Sequence, residues 1–413
     1  MQAQSRSADA PHLLLFGWYQ PGTGFTRVLE ALLPTLAKHF VITWMGVGYR
    51  GPAFSWSDRV YVEPTNLHGG DLVGAYSARE RWSELQPDAV FALNDPWYLL
   101  HYSRALGDVL GSVPMVGYMP LDGQICDPSL LSELIGFSQL VTYTETAAAD
   151  LASALSAARI PTPTTHAGHG VDLSQFHPLL SADQIGDVLP RMALAQGLFQ
   201  LDQPAFVILN ASRPDPRKRI DITIDGFAEF VHGRDEPIYL CLHQAHSHRQ
   251  YVEPLLAQVD QLGIADRVIW HPQQPGPVSD EQLNRLYNAC ALGINTALGE
   301  GFGLVSFEHA ATGVPQILPA QSTLTELWGD SAWRLPTTPV MTDHSPLRMA
   351  EVDASDVALA LTDLYEDSIA YERLAFAALA RSRRADLEWS TVAERIVQVL
   401  HHQRRIDQHR IPA

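Results

Sequence analysis

Lysine is almost missing from this chain: Lys38 and Lys218 are the only two in 413 residues, so nearly all of the 28 basic side chains are arginine. Cysteine is scarce as well. Cys126, Cys241 and Cys290 stand alone and far apart, which argues against a disulfide framework or a zinc site and for reduced thiols in a cytoplasmic protein. No run approaches the ~20 apolar residues of a membrane-spanning helix. The first ten residues lack the basic and apolar blocks of a secretory signal, and that polar start is expected to be disordered. Acidic side chains outnumber basic ones, 46 to 28, for a net charge of -18. Such a balance disfavours nucleic acid and anionic lipid surfaces as partners, because both need a basic face. There is no repeat of 20 to 50 residues, no low-complexity tract and no Asp-x-Asp run.

What is present describes an ordinary soluble α/β protein. Hydrophobic residues make up 46% of the chain and the mean hydropathy is -0.05. Single cores seldom grow past ~250 to 300 residues, so a chain of this length should form two domains. Short apolar runs alternate with amphipathic helical patterns. The runs are 11–17, 40–44, 89–93, 114–118 and 140–143 in the first half, then 206–210, 238–242, 268–270 and 291–296. That alternation predicts parallel sheets with helices on their faces. A turn-rich stretch covers 271–277. The inter-domain link is expected between 178 and 204, with domains at 1–185 and 200–385. A last helix at about 389–405 carries apolar Val392, Ile396, Val399 and Leu400. The apolar helical stretches 192–201 and 357–364 are expected to pack on their own domain rather than on a bilayer.

Three loops carry the chemistry. The richest is Glu300-Gly301-Phe302-Gly303-Leu304-Val305-Ser306-Phe307-Glu308, followed by a helical stretch ended by Gly313 and Pro315. Glycines permit a tight turn, and free N–H groups at a helix start favour an anion. Glu300 and Glu308 can then serve different parts of one ligand. Read without further context, Glu300 caps a helix and Glu308 lies on a solvated face. The second loop, Ala211-Ser212-Arg213-Pro214-Asp215-Pro216-Arg217-Lys218-Arg219, follows an apolar strand and precedes an amphipathic helix. Arg213 and Lys218, five residues apart, suit a diphosphate, one as a planar fork and the other as a point charge. The third is Pro21-Gly22-Thr23-Gly24 between the first strand and the helix at 25–38. Two glycines are no dinucleotide fingerprint, which needs a third glycine and a later acidic residue.

Taken together these segments resemble the signature of the retaining glycosyltransferases of family 4, the group that includes glycogen synthase and phosphatidylinositol mannosyltransferases. The resemblance implies the GT-B fold: two Rossmann-like α/β domains with parallel sheets facing across a deep cleft. It implies that Glu300 contacts a donor sugar, that the backbone of Gly301, Phe302, Gly303 and Leu304 holds sugar hydroxyls and phosphate, and that Glu308 binds the nucleotide ribose. Arg213 and Lys218 would hold the donor pyrophosphate, with Gly22 and Gly24 facing it from the first domain. The segments Thr142-Tyr143-Thr144-Glu145-Thr146 and His169-Gly170-Val171-Asp172 are also similar to the family. His169 is expected to be structural. The last helix would return to the first domain.

Two departures stand out. The family often has glycine after the lysine, where this chain has Arg219. It often has a histidine in the stretch equivalent to Tyr118-Met119-Pro120-Leu121-Asp122-Gly123, where none is present. Asp122 is read as orienting a hydroxyl there, or as a plain turn residue. Asn94-Asp95-Pro96 is read as a strand end and turn. The implied activity is transfer of a hexose-type sugar from a nucleoside diphosphate sugar to a hydroxyl acceptor, with retained configuration and no metal or other cofactor. Acceptor loops are expected at 44–56, 66–76 and 96–102, rich in aromatic side chains. A nucleotide-sugar epimerase and a non-catalytic GT-B partner protein remain alternative readings.

Overall fold

The computed structural model describes residues 10–65, 69–243, 249–272, 278–343 and 345–408. Residues 1–9 of the polar start, 66–68 of one expected acceptor loop and 273–277 of the turn-rich stretch lie outside the described residues. In chain order the first half contains β1 (His12–Trp18), α1 (Gly24–His39), β2 (Val41–Val47), β3 (Phe54–Ser57), β4 (Val60–Pro64), α2 (Ala75–Glu80), α3 (Trp82–Leu85), β5 (Ala89–Leu93), α4 (Pro96–Leu106), β6 (Met115–Tyr118), β7 (Gln124–Ile125), β8 (Gln139–Thr142), α5 (Glu145–Ala157) and β9 (Thr164–His166). The second half contains α6 (Leu189–Phe199), β10 (Phe206–Asn210), α7 (Ile220–Val231), β11 (Ile238–His243), α8 (Arg249–Gln261), β12 (Val268–His271), α9 (Asp280–Ala289), β13 (Leu292–Ile294), α10 (Leu304–Ala310), β14 (Gln316–Pro319), α11 (Ser322–Trp328), β15 (Trp333–Leu335), β16 (Thr338–Thr342), β17 (Ser345–Glu351), α12 (Ala354–Glu366), α13 (Ser368–Ser382) and α14 (Trp389–Gln408).

The chain forms two compact units. The first comprises Met1–Leu121, Ile125–Gly170 and Trp389–Ala413, the second Asp122–Gln124 and Val171–Glu388. In the first, an eight-stranded sheet runs β3-β4-β2-β1-β5-β6-β8-β9, parallel except at the β3–β4 edge. β5 reads Ala-Val-Phe-Ala-Leu and is buried at each residue, the unbroken apolar run of a strand covered on both faces. On α1, Val28, Leu29, Leu32, Leu33 and Leu36 recur at helical spacing and all are buried. The last helix, α14, packs on α1. It buries Val392, Ile396 and Leu400 as expected, and Val397 in preference to the half-buried Val399.

The second unit is built on a parallel six-stranded sheet of order β12-β11-β10-β13-β14-β15. The stretch 357–364 lies within α12, whose Val357, Ala360, Leu361 and Leu364 are buried in this unit's core. Residues 171–185, expected with the first domain, pack with the second. The backbone N–H of His177 donates to Asn284 at 3.1 Å and that of Leu179 to Asn288 at 2.7 Å, both on α9. Among the described residues no helix is long and apolar enough to cross a membrane.

The stretch around 192–201 turns out to be anchored by a cation. Arg191 on α6 is fully buried, with its Nη1 donating to the Asn288 carbonyl at 3.2 Å and its Nη2 to the carbonyls of Thr312 and Gly313 at 2.9 Å each. These oxygens lie where α9 and α10 end, the negative ends of two helix dipoles. Desolvation lowers the pKa of the guanidinium, so the carbonyls must compensate for lost water. Arg191→Ala should therefore cost about 3 kcal/mol, because three carbonyl contacts are lost at once. Arg191→Lys should recover little of it, since one ammonium cannot reproduce the planar fork. Chemical denaturation of the three proteins checks this.

Candidate donor-side site

In open α/β sheets ligands bind beyond the carboxyl ends of the strands, at the point where strand order reverses. In the second unit that point lies between β10 and β13, which pair in register at Ile208–Leu292 and Leu209–Gly293. The loops leaving these two strands are the Arg213–Arg219 loop and the segment leading into Gly299 and Glu300.

Lys218 and Glu300 meet there. The Lys218 Nζ donates to Glu300 Oε1 at 2.6 Å, with both side chains nearly buried. Asn295 Nδ2 donates to the same oxygen at 2.8 Å. The Glu300 backbone is pinned at both polar groups: its N–H donates to Gln321 at 3.0 Å and its carbonyl accepts from Thr323 at 2.7 Å. Burial lowers the Lys218 pKa and the neighbouring Arg217 lowers it further, against the pull of Glu300 and Asp122. Burial pushes the Glu300 carboxyl up, yet the cations Lys218 and Arg217, with hydrogen bonds from Lys218 and Asn295, hold it below the usual carboxylate range.

Beneath this pair runs a buried polar chain. Asn210 at the end of β10 donates to Thr223 at 2.9 Å, and Thr223 and Thr296 share a hydrogen bond of 2.8 Å. The Thr296 hydroxyl reaches the carbonyls of Lys218 at 3.2 Å and Arg219 at 2.7 Å. The chain ties β10, α7 and the segment after β13 together, so the position of Lys218 is set from below. Arg219 sits at φ 46°, ψ 46°, the left-handed region. A side chain there costs roughly 1 to 2 kcal/mol, which is why glycine suits the place. The Arg219 guanidinium is held by Asp221 at 2.9 Å and by Glu351.

Asp122 belongs to this same unit. Its carboxylate lies 3.2 Å from Arg217 Nη1, which also donates to the Gly299 carbonyl. A Cβ on Gly299 would overlap the Asp122 carbonyl oxygen, so only glycine lets the two loops touch. Arg217, passed over in the sequence reading, is thus the guanidinium next to the Lys218–Glu300 pair. Arg213 is not brought to it. Its side chain is 64% exposed, and its ion-pair partner is Asp215 at 3.9 Å.

The glycine loop is arranged as its sequence suggests. Gly303 has φ 80° at the start of α10, a conformation that favours glycine. Gly301 is buried, and Leu304 begins the helix. The Phe302 ring stacks on Phe307, which stacks on Trp328, so the Phe302 side chain is taken up in the core. Glu308 is buried, not on a solvated face, and accepts from the Tyr287 hydroxyl at 3.2 Å. The residues that sequence reasoning missed are polar: Asn295 and Thr296 directly follow β13, Gln321 precedes α11, and Arg217 lies in the turn beside Lys218. Their only signal was that each lies within five residues of a named site residue or at the end of an apolar run.

Gly22 and Gly24 belong to the first unit, with Gly22 at φ 85° and Gly24 opening α1. There the switch point falls between β1 and β5, and Trp18 Nε1 donates to the buried Asn94 at 3.1 Å. Thr144 accepts from Ala147 N–H at 3.1 Å and caps α5. His169 is buried against Tyr118, Tyr143 and Trp389, and burial lowers its pKa to about 3.

Comparison with known proteins agrees with this layout. Residues 190–396 match a family model described as Family 4 Glycosyltransferase in conflict systems. A D-inositol 3-phosphate glycosyltransferase of Segniliparus rotundus is 29% identical over 177 residues, 40% of this chain and 36% of that protein. One of Xylanimonas cellulosilytica is 31% identical over 232 residues, 56% and 49% of the respective chains. This chain thus spans less than half the length of these relatives. Among solved structures, Anabaena HepE in complex with UDP and glucose has a TM-score of 0.67 at 18% identity, covering 95% of this chain and 100% of that one. Sucrose-phosphate synthase of Thermosynechococcus elongatus has 0.70 at 15% identity, covering 95% and 98%. At such identities these likenesses establish the fold, the two-domain GT-B arrangement.

One consequence concerns acid. His309 on α10 is buried, with Nε2 3.1 Å from the Tyr287 carbonyl, and burial, helped by Arg191, lowers its pKa from 6.5 to about 3. Between those values the unfolded chain binds a proton that the folded chain refuses, so stability falls as pH falls. The slope for this one group is about 1.4 kcal/mol per pH unit and vanishes above pH 6.5. Urea melts between pH 7 and 4 should give a shallower pH dependence in His309→Gln than in the parent. Parallel dependences would contradict the neutral, buried imidazole.

Proposed function

The chain belongs to the family-4 glycosyltransferases of conflict systems, and on that footing we propose that it moves a hexose-type sugar from a nucleoside diphosphate sugar to a hydroxyl acceptor, with retained anomeric configuration. The observation that carries this reading is the convergence of Lys218, Glu300 and Asn295 beyond the β10–β13 switch point. Lys218 and Arg213 take the charge that develops on the leaving diphosphate as the glycosyl–phosphate bond loosens. Lys218 is preorganised for this and Arg213 is ordered by the ligand. Such fixed charge is usually the largest contribution of a protein site. Glu300 holds the sugar, the 301–304 backbone its hydroxyls and phosphate, and Glu308 the ribose. Asp122, held by Arg217, orients a hydroxyl near the reacting carbon. No divalent ion takes part, because the cationic side chains supply the charge that a metal would.

The uridine nucleotide bound to Anabaena HepE makes UDP-sugars the first donors to try. Mass spectrometry of donor consumption across UDP-, GDP- and dTDP-sugars tests the activity, with the anomer of the product read by NMR and EDTA expected to have no effect. Epimerised donor would favour the epimerase reading, and no nucleotide binding at all the non-catalytic one. Lys218→Ala should lower turnover roughly 10²- to 10³-fold. Arg213→Ala should lower it less, about tenfold, since an exposed side chain must first be ordered. Glu308→Gln should chiefly weaken free nucleotide in calorimetry, and Glu300→Gln chiefly the intact sugar nucleotide. Near-parental kinetics in Lys218→Ala would overturn the assignment.

A further inference from the structure

We propose that His243 and His271 form a binding site for one borderline divalent transition ion, such as Zn²⁺ or Ni²⁺, separate from the sugar-transfer residues. The two residues end adjacent parallel strands, β11 and β12, and are in direct register. Registered neighbours on parallel strands point to the same face of the sheet, and here the rings meet with their Nδ1 atoms 2.8 Å apart. Two imidazole nitrogens at that distance hold one proton between them, because two N–H groups or two lone pairs would repel. When both rings carry their proton on Nε2, the two Nδ1 lone pairs face one another, and a metal ion between them takes the place of the shared proton. Cis ligands at a metal–nitrogen distance of ~2.0–2.1 Å lie about 3.0–3.3 Å apart, a few tenths of an ångström beyond the present separation.

The Phe199 ring stands edge-on to the His271 imidazole. Among the described residues no third histidine, cysteine or carboxylate completes a cluster with them, so the ion would keep open positions for water or another ligand. Two imidazoles select Zn²⁺, Ni²⁺ or Cu²⁺ over Mg²⁺ or Ca²⁺, which prefer oxygen. Neither histidine contributes to the charge assigned to the leaving diphosphate, so the site stands or falls apart from the proposed transfer.

Isothermal titration of the full chain with ZnCl₂, and separately NiCl₂, is the test, with circular dichroism to confirm that each variant folds. One equivalent should bind, and His243→Ala and His271→Gln should each weaken binding at least tenfold. A double variant of the next histidines in sequence, His246→Ala with His248→Ala, should retain it. Undetectable binding of both ions at millimolar concentration would overturn the site. So would binding that survives both single substitutions, binding lost only in the His246/His248 variant, or Mg²⁺ binding of equal strength. Should a single substitution unfold the chain, His243→Gln with His271→Asn gives the same reading. Donor turnover measured with EDTA-treated protein reports on the transfer reading independently of all these outcomes.

Discussion

A buried ion pair between Lys218 and Glu300 ties together the loops beyond β10 and β13 in the second unit. Taking two charges out of water costs several kcal/mol, and close approach compensates only when the remaining hydrogen-bonding capacity is met. Here Asn295 donates to the same carboxylate oxygen, and Gln321 and Thr323 fasten the backbone on either side of it. The pair therefore fixes two loops that come from strands far apart in sequence, and it does so where the sheet changes direction. Because Glu300 stays ionised against Lys218, both charges sit in a setting that excludes much of the water. That is the condition under which charge acts strongly.

The two departures from the family pattern have physical counterparts in the same place. Arg219 occupies a left-handed conformation that glycine would take without strain, and ion pairs to Asp221 and Glu351 offset the cost. The stretch that often carries a histidine instead supplies Asp122, which enters the second unit and is clamped by Arg217 over Gly299. A carboxylate held by a guanidinium offers only acceptor oxygens, whereas a neutral imidazole carries one donor and one acceptor nitrogen.

Interior polar groups elsewhere follow the same logic of satisfaction without titration. Arg191 is surrounded by carbonyls at helix ends, His309 is held neutral beside the Tyr287 carbonyl, and the Asn210–Thr223–Thr296 chain closes on backbone oxygens. Each links elements that hydrophobic contact alone would leave free to slide, since apolar packing is non-directional and hydrogen bonds are not.

Much of this was legible in the residues. Apolar runs such as 206–210 and 89–93 need cover on both faces and so determined parallel strands; the spacing of Val28, Leu29, Leu32, Leu33 and Leu36 determined the buried face of α1. The glycines around Phe302 and the Arg213–Lys218 spacing marked the two loops that meet. What the sequence did not determine is which cation stands beside Glu300. Arg213, Arg217 and Lys218 are equivalent as symbols in a loop, and only the turn at 215–219, closed by the left-handed Arg219, points Lys218 and Arg217 inward and leaves Arg213 in solvent. Nor could spacing reveal Asp122 across 95 residues from Arg217, or His243 against His271. Those pairings depend on strand order and register, which are decided by how whole sheets close around a core rather than by any local run of residues.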